Sequence, residues 1–570
     1  MLSAMSWNLH LRRGLGVCAG LLLLAVTALP AQEHEELGRM WTFDQVPAQY
    51  LQEEYGFVPS PEWLEHARRS ALRFGGGCSA AFVSPRGLIL TNHHCARDYV
   101  AQLSPPGQDW LGNGYFAAGM AQEVAAPGLT VQQLVAIEDV TAALDAGVTP
   151  DLDGMAVEGL RERNRQALLE QTRAEHPGLE PRIVSLYQGG LQHLYLYKVY
   201  SDVRLVGAPH LQSAKFGGDF DNFTYPRYAL DFALCRAYED GKPADTSAHY
   251  LKWNTAGPRA GDAVFVVGSP GNTGRLMSLA QMEYLRDVEF PSRLEGLHAM
   301  LEQLYAEGRD DPQRAADTRA RVLTLENARK AFQGYLDGLR NPAILERKRA
   351  AEEAIRAKVA ADPELSARYG DAWDRIAELV AEKKKAAAAG DSARVQELRA
   401  QEQAQARRVG EAFFAVYGTQ IPPDASGSLR LSDGVVQGFE YNGTIAPWFT
   451  SLFGLYARWT EFGRQEPFNL PQPWIDKLPE LDLATPVNFV SSCDIIGGNS
   501  GSPVLNRDGE LVGLVFDGNI EMLGNMYVYT DEVARSVSVH PAIIIEAMRK
   551  VYGADALADE LEGRSAGYAE

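Results

Sequence analysis

A serine set among glycines, Gly497-Gly498-Asn499-Ser500-Gly501-Ser502-Pro503-Val504, is the strongest chemical signal in the chain. Small neighbours let a substrate backbone approach. A tight turn there can aim the N–H groups of Gly498 and Ser500 at one point, where an oxyanion would develop. The alternative is a plain Gly/Ser turn. A serine hydroxyl is a weak nucleophile and needs a base. One is offered by Gly87-Leu88-Ile89-Leu90-Thr91-Asn92-His93-His94-Cys95, a strand-like run ending in a histidine pair. No HExxH pattern is present, and neighbouring histidines on a strand point to opposite faces, which disfavours a metal site. A surface histidine pair is the plainer alternative. Cys78, 17 residues before Cys95, is placed to staple a hairpin behind the histidines.

A histidine followed much later by a serine in a glycine-rich turn is the order of chymotrypsin-like double β-barrels. That order calls for a carboxylate between them, to hold the imidazole tautomer and stabilise the imidazolium. Candidates lie in Gly217-Gly218-Asp219-Phe220-Asp221-Asn222-Phe223-Thr224-Tyr225-Pro226-Arg227-Tyr228-Ala229-Leu230-Asp231-Phe232. Asp231, between Leu230 and Phe232 at the start of an apolar strand, is the best buried choice. Asp219 and Asp221 fall in a polar turn and are expected to be exposed or turn-forming.

These side chains must be carried by a scaffold of mixed texture. Residues 75–275 read as short β-strands between Gly, Pro and Asp turns, interrupted by a helical stretch near 150–177. Between 278 and 418, Ala, Glu, Arg, Lys and Leu dominate and apolar residues recur at spacings of three or four, which predicts an all-α insertion. Lys383-Lys384-Lys385 is read there as a solvated helix face. Strand texture returns at Phe439–Asn442, Val487–Val490 and Leu511–Phe516, followed by a predicted helix over Pro541–Tyr552. The expected organisation is a leader at 1–31, a catalytic part at 32–277, the helical insertion at 278–425 and a second catalytic part at 426–570.

The chain has 570 residues, 46% hydrophobic and 22% charged, which sets aside disordered, collagen-like and polytopic membrane classes. With 54 basic and 74 acidic residues it is a poor candidate for a general nucleic-acid binder. Arg12 and Arg13, the apolar run Leu15–Leu29 and the small residues Ala28-Leu29-Pro30-Ala31 read as a secretory signal peptide; a retained anchor is the alternative. Cleavage after Ala31 removes those two arginines and takes the net charge from −20 to −22. Export permits disulfides. Cys78, Cys95, Cys235 and Cys493 allow three pairings, and spacing alone does not choose among them. Residues 268–275, Gly-Ser-Pro-Gly-Asn-Thr-Gly-Arg, lack the Gly-Lys-Ser/Thr ending of a phosphate loop. They are read as a loop beside the cleft, and no cofactor motif is visible.

Taken together, Met40-Trp41-Thr42-Phe43-Asp44, the Cys78–Cys95 block, the Gly217–Phe232 block and residues 497–519 resemble the bacterial dipeptidyl-peptidase 7/11 family, exported serine exopeptidases of the chymotrypsin-like clan. The resemblance implies a double β-barrel with an inserted helical domain. It also implies the roles of His94 as base, Asp231 as orienting carboxylate and Ser500 as nucleophile. Asp517 matches the family's ammonium-binding aspartate, Asn222 and Phe223 its asparagine and aromatic anchor (usually Trp), and Asn327 a helical asparagine that reaches the amine. Gly518 stands where family members with glycine accept hydrophobic residues before the cut and those with arginine prefer Asp or Glu. A hydrophobic, non-acidic preference follows from that match, and a homodimer is implied.

Two departures stand out: the chain is shorter than is typical of the family, mostly between Asp231 and Ser500, and Cys235 and Cys493 lie outside the motif. If the triad assembles, a Cys235–Cys493 bridge is one possible pairing. The competing readings are a trypsin-like endopeptidase, indifferent to a blocked amine, and a non-catalytic peptide-binding protein.

Overall fold

The computed structural model describes residues 35–564, apart from 150, 151 and 153, together with 568. The leader expected at 1–31 lies outside the described residues.

Two antiparallel sheets carry the β-rich part. In the first, Leu88–Thr91 is buried along its whole length and lies between Cys78–Phe82 and Ala233–Glu239. Thr91 stands opposite Ala233. The antiparallel register therefore brings the residues just after Thr91 beside those just before Ala233. The second sheet runs, in spatial order, through Met40–Trp41, Arg430–Val435, Ala263–Gly268, Pro503–Leu505, Leu511–Gly518, Ser536–Val539, Pro486–Ser491 and Phe449–Ser451. The Met40–Trp41 pair from the start of the described chain is thus an edge strand of this sheet.

The expected double barrel is not seen as such. Among the described residues each sheet runs open from edge to edge, with no pairing that closes it. The architecture is mixed α/β.

Ala263–Gly268 and Arg430–Val435 are neighbouring strands, although the chain between them makes a long helical excursion. Its helices run from Leu279–Tyr284 to Ser392–Tyr417 and include Pro312–Arg340. Asp311 caps the last of these by accepting from the N–H of Arg314, with Pro312 at the first turn, where its missing N–H costs nothing. The solvated face expected at Lys383-Lys384-Lys385 holds at the exposed Lys385 and the half-buried Lys384 but fails at Lys383. Lys383 is buried, paired with Glu402 and set over the Tyr284 ring, because the helix turns this lysine inward.

Cys78 and Cys95 form a disulfide. Cys235 and Cys493 do not pair: both are buried free thiols, one in the core of the first sheet and one in that of the second. Burial raises both thiols to about 12, so neither offers a thiolate near neutral pH.

Candidate active site

The histidine pair opens a helix, His93–Leu103, instead of ending a strand. The helix twist separates the two rings. His93 is fully buried, and desolvation lowers it to about 4. His94 faces a cavity of about 220 Å³. Its Nδ1 lies 2.6 Å from Asp231 Oδ2, and its backbone N–H donates to Asp231 Oδ1 at 3.0 Å. Asn92 Nδ2 donates to the Asp231 carbonyl at 2.8 Å. Burial alone would push the Asp231 carboxyl up, but the His94 charge, the ring hydrogen bond and the backbone N–H outweigh it and hold it below the usual carboxylate range. Cys78, His94 and Cys95 cluster closely, but the two sulfurs are bonded to each other and offer no thiolate to a metal.

Ser500 lines the same cavity, half-buried. Its turn requires glycine on both sides. Gly501 has φ +85°, and a Cβ there would lie 2.0 Å from the Ser79 carbonyl oxygen. Gly498 has φ +105°, and a Cβ there would lie 2.6 Å from the Ser269 carbonyl oxygen. The turn is tied to the first sheet: the Ser79 N–H donates to the Ser500 carbonyl at 2.7 Å, and Ser79 Oγ donates to the Gly498 carbonyl at 2.9 Å. Among the described residues, the N–H groups of Gly498 and Ser500 donate to no protein acceptor.

Asn222, Phe223, Asp517, Gly518 and Asn327 line this cavity as well. Asn222 Nδ2 donates to Asn327 Oδ1 at 3.1 Å, which joins the helical excursion to the β-rich part across the site. Asp517, at the end of Leu511–Gly518, accepts from the N–H groups of Phe223 (3.1 Å) and Gly518 (2.9 Å). It also pairs with Arg227, a residue that reading the sequence had not singled out. Only tertiary packing reveals that partner, since Arg227 is 290 residues away along the chain. Asp221, expected to be exposed or turn-forming, ends the short turn Gly218–Asp221 and is buried against Arg458 at 2.8 Å. Asp219 meets Arg329 of the Pro312–Arg340 helix at 3.0 Å.

Comparison with known proteins puts the chain among peptidases, hydrolases of the dipeptidyl-peptidase class. It belongs to the Peptidase S46 family, which it matches over residues 35–392 and 385–563. An Asp/Glu-specific dipeptidyl-peptidase of Shewanella putrefaciens is 25% identical, covering 85% of this chain and 91% of the relative. Dipeptidyl-peptidase 7 of Capnocytophaga gingivalis is 24% identical, over 87% of this chain and 91% of its own. The fold matches a crystal structure of Porphyromonas endodontalis DPP11 in complex with the dipeptide Arg-Asp, with TM-score 0.80 and 21% identity, over 92% of this chain and 99% of that one.

These relatives overturn the expected non-acidic preference, which rested on Gly518, because Asp/Glu-specific enzymes stand among them. A Cβ at Gly518 would meet Met522 Cε, the movable end of a flexible side chain, at 2.4 Å and the Arg535 carbonyl oxygen at 3.1 Å, so a glycine here opens little room by itself. The lining also holds Arg97, Lys215 and Arg227 against Asp219, Asp231 and Asp517, so no single position reports its charge.

Proposed function

We propose that the protein is an exported serine peptidase that releases dipeptides from the free amino terminus of peptides. In this reading Ser500 attacks the second peptide bond. His94 takes its proton and passes it to the leaving amine, and Asp231 orients the ring and stabilises its charged form. The N–H groups of Gly498 and Ser500 receive the oxyanion. Asp517, with Asn222, Asn327 and the Phe223 ring, holds the α-ammonium and so sets the cut two residues in. Arg227 neutralises Asp517 when no substrate is present, which avoids an unpaired buried carboxylate.

The observation that carries the proposal is one cavity lined by His94, Asp231, Ser500 and Asp517, with His94 Nδ1 and Asp231 Oδ2 2.6 Å apart. The two open sheets are read as the opened barrels of a chymotrypsin-like fold, with the helical excursion as its inserted domain. No described helix is long and apolar enough to cross a membrane. Export rests on the leader-like residues 1–31, and a homodimer rests on the family resemblance. The test is mass analysis of products from an unblocked peptide and its N-acetylated twin. Residues leaving in pairs from the free peptide alone are expected; internal cuts in both peptides would leave an endopeptidase in place of this proposal.

A further inference from the structure

Residues 268–275, the glycine-rich loop that resembles no phosphate site, pack directly behind the Ser500 turn. The Gly271 N–H donates to the Gly497 carbonyl at 2.7 Å. The Ser269 N–H donates to Ser79 Oγ at 2.9 Å, and that hydroxyl donates to the Gly498 carbonyl. At the end of the loop, Arg275 is buried and grips Asp494, six residues before Ser500, through both carboxylate oxygens at 2.5 and 2.7 Å. The Arg39 N–H donates to Asp494 Oδ2 at 2.9 Å. Arg275 Nε donates to the Asn525 carbonyl at 2.9 Å, and the Arg275 carbonyl accepts from Lys348 of the helical excursion at 2.7 Å. One arginine thus joins the start of the nucleophile segment, the turn that follows Asp517 and the helices.

The direction of these bonds matters. In a trans peptide unit the C=O and N–H point in opposite directions. The Gly497 carbonyl and the Gly498 N–H belong to one unit, so anchoring that carbonyl on Gly271 turns the Gly498 N–H to the opposite side. The Asn499 carbonyl accepts from the Ser502 N–H at 2.8 Å, which turns the Ser500 N–H outward in the same way. Glycine-rich turns flip such units easily, because no Cβ resists the rotation.

Building on the serine-peptidase reading, we infer that residues 268–275 are a positioning element for the oxyanion hole: Gly271 fixes the orientation of the Gly497–Gly498 peptide unit, and the Arg275–Asp494 pair holds the segment that leads to it. None of these residues touches the substrate. They act through the Gly498 N–H, whose role is realised only when negative charge develops on the scissile oxygen.

Gly271→Ala tests this in the full-length protein. The φ of Gly271 lies outside the left-handed region, and an added Cβ would sit 3.0 Å from the Gly497 oxygen, pushing the anchored carbonyl without forbidding the backbone. The readouts are kcat and KM on a free-amino dipeptidyl substrate, inhibition by the matching dipeptide aldehyde, inhibition by the product dipeptide, and the thermal midpoint. The aldehyde adds Ser500 Oγ across its C=O, and the resulting oxygen sits where the oxyanion does. A fall in kcat of roughly 10- to 100-fold is expected, with aldehyde binding weakened by the same factor. KM and product binding stay within about twofold, because neither uses the oxyanion donors fully. Asp494→Asn keeps an acceptor for Arg39 but loses the bidentate grip. It is expected to give the same split at a smaller size, and it carries the test if the alanine variant does not fold. Unchanged kcat and aldehyde binding in a folded variant would overturn the inference, as would equal weakening of substrate, product and aldehyde. Failure of the underlying reading looks different: wild-type protein would release no dipeptide, or Ser500→Ala would stay active.

Discussion

Asp231 holds His94 at two points, one carboxylate oxygen 2.6 Å from the ring Nδ1 and the other accepting the His94 backbone N–H at 3.0 Å. The same carboxylate therefore sets both the ring orientation and the first turn of the helix that presents it. Asp231→Asn keeps the shape but removes the charge that selects the productive tautomer. We expect kcat to fall by roughly 10³- to 10⁴-fold with KM little changed, the size known for such a substitution in a serine-protease triad. Steady-state kinetics checks this, and a loss below tenfold would argue against the triad.

Asp517 is expected to govern recognition of the free amine. Asp517→Asn leaves Arg227 buried without its countercharge and the substrate ammonium without an anion. A rise in KM and a drop in kcat/KM of roughly 100-fold are expected on free-amino substrates, the loss of about one charged hydrogen bond. Discrimination against N-acetylated substrates should shrink in parallel. Comparing the two substrates on both proteins separates recognition of the amine from general damage.

Three of the four histidines buried among the described residues make folding strongly pH-dependent. Desolvation lowers His93, His210 and His540 to about 4. In the unfolded chain each binds its proton near 6.5, so between 6.5 and 4 the unfolded state holds more protons and stability falls as pH falls through that window. Each contributes roughly 3 kcal/mol across it. His540 accepts the Ala542 N–H at 3.1 Å as a helix cap. His540→Asn keeps a capping acceptor and removes the titration. The slope of unfolding free energy against pH from 6.5 to 4, read by denaturant melts, should flatten by about one proton; an unchanged slope would count against burial as the cause.

The Cys78–Cys95 bridge closes a short loop whose far end abuts His94. Replacing both with serine should lower unfolding stability by about 3 kcal/mol, from the entropy returned to the unfolded chain. Denaturant melts of oxidised wild type and the double variant would show it, and reduction of the wild type should reproduce most of the loss.

The candidate residues were legible because local flanks mark them. Glycines around Ser500 announce a tight turn, Leu230 and Phe232 announce burial of Asp231, and an apolar run leads into His94. The β-to-α-to-β change of texture was legible for the same reason, since propensity and periodicity are local. Partners across long separations were not. Arg227 against Asp517, Asp221 under Arg458 and Lys383 facing Glu402 depend on how distant elements pack. The Cys235–Cys493 pairing failed because the two thiols lie in the cores of different sheets. The inference from Gly518 failed because one position was asked to report the charge of a whole pocket.

The sequence by itself determined which side chains are able to do chemistry and which stretches become strands, helices and turns, because those depend on near neighbours. Only the tertiary structure decided which of them meet. The antiparallel register of Leu88–Thr91 against Ala233–Glu239 brings His94 beside Asp231, and the Ser79 hydrogen bonds and the anchoring at Gly271 set the Ser500 turn against them. A strand's own alternation sets which face it presents, but which distant strand it pairs with, and which sheet packs against it, are properties of the packed whole.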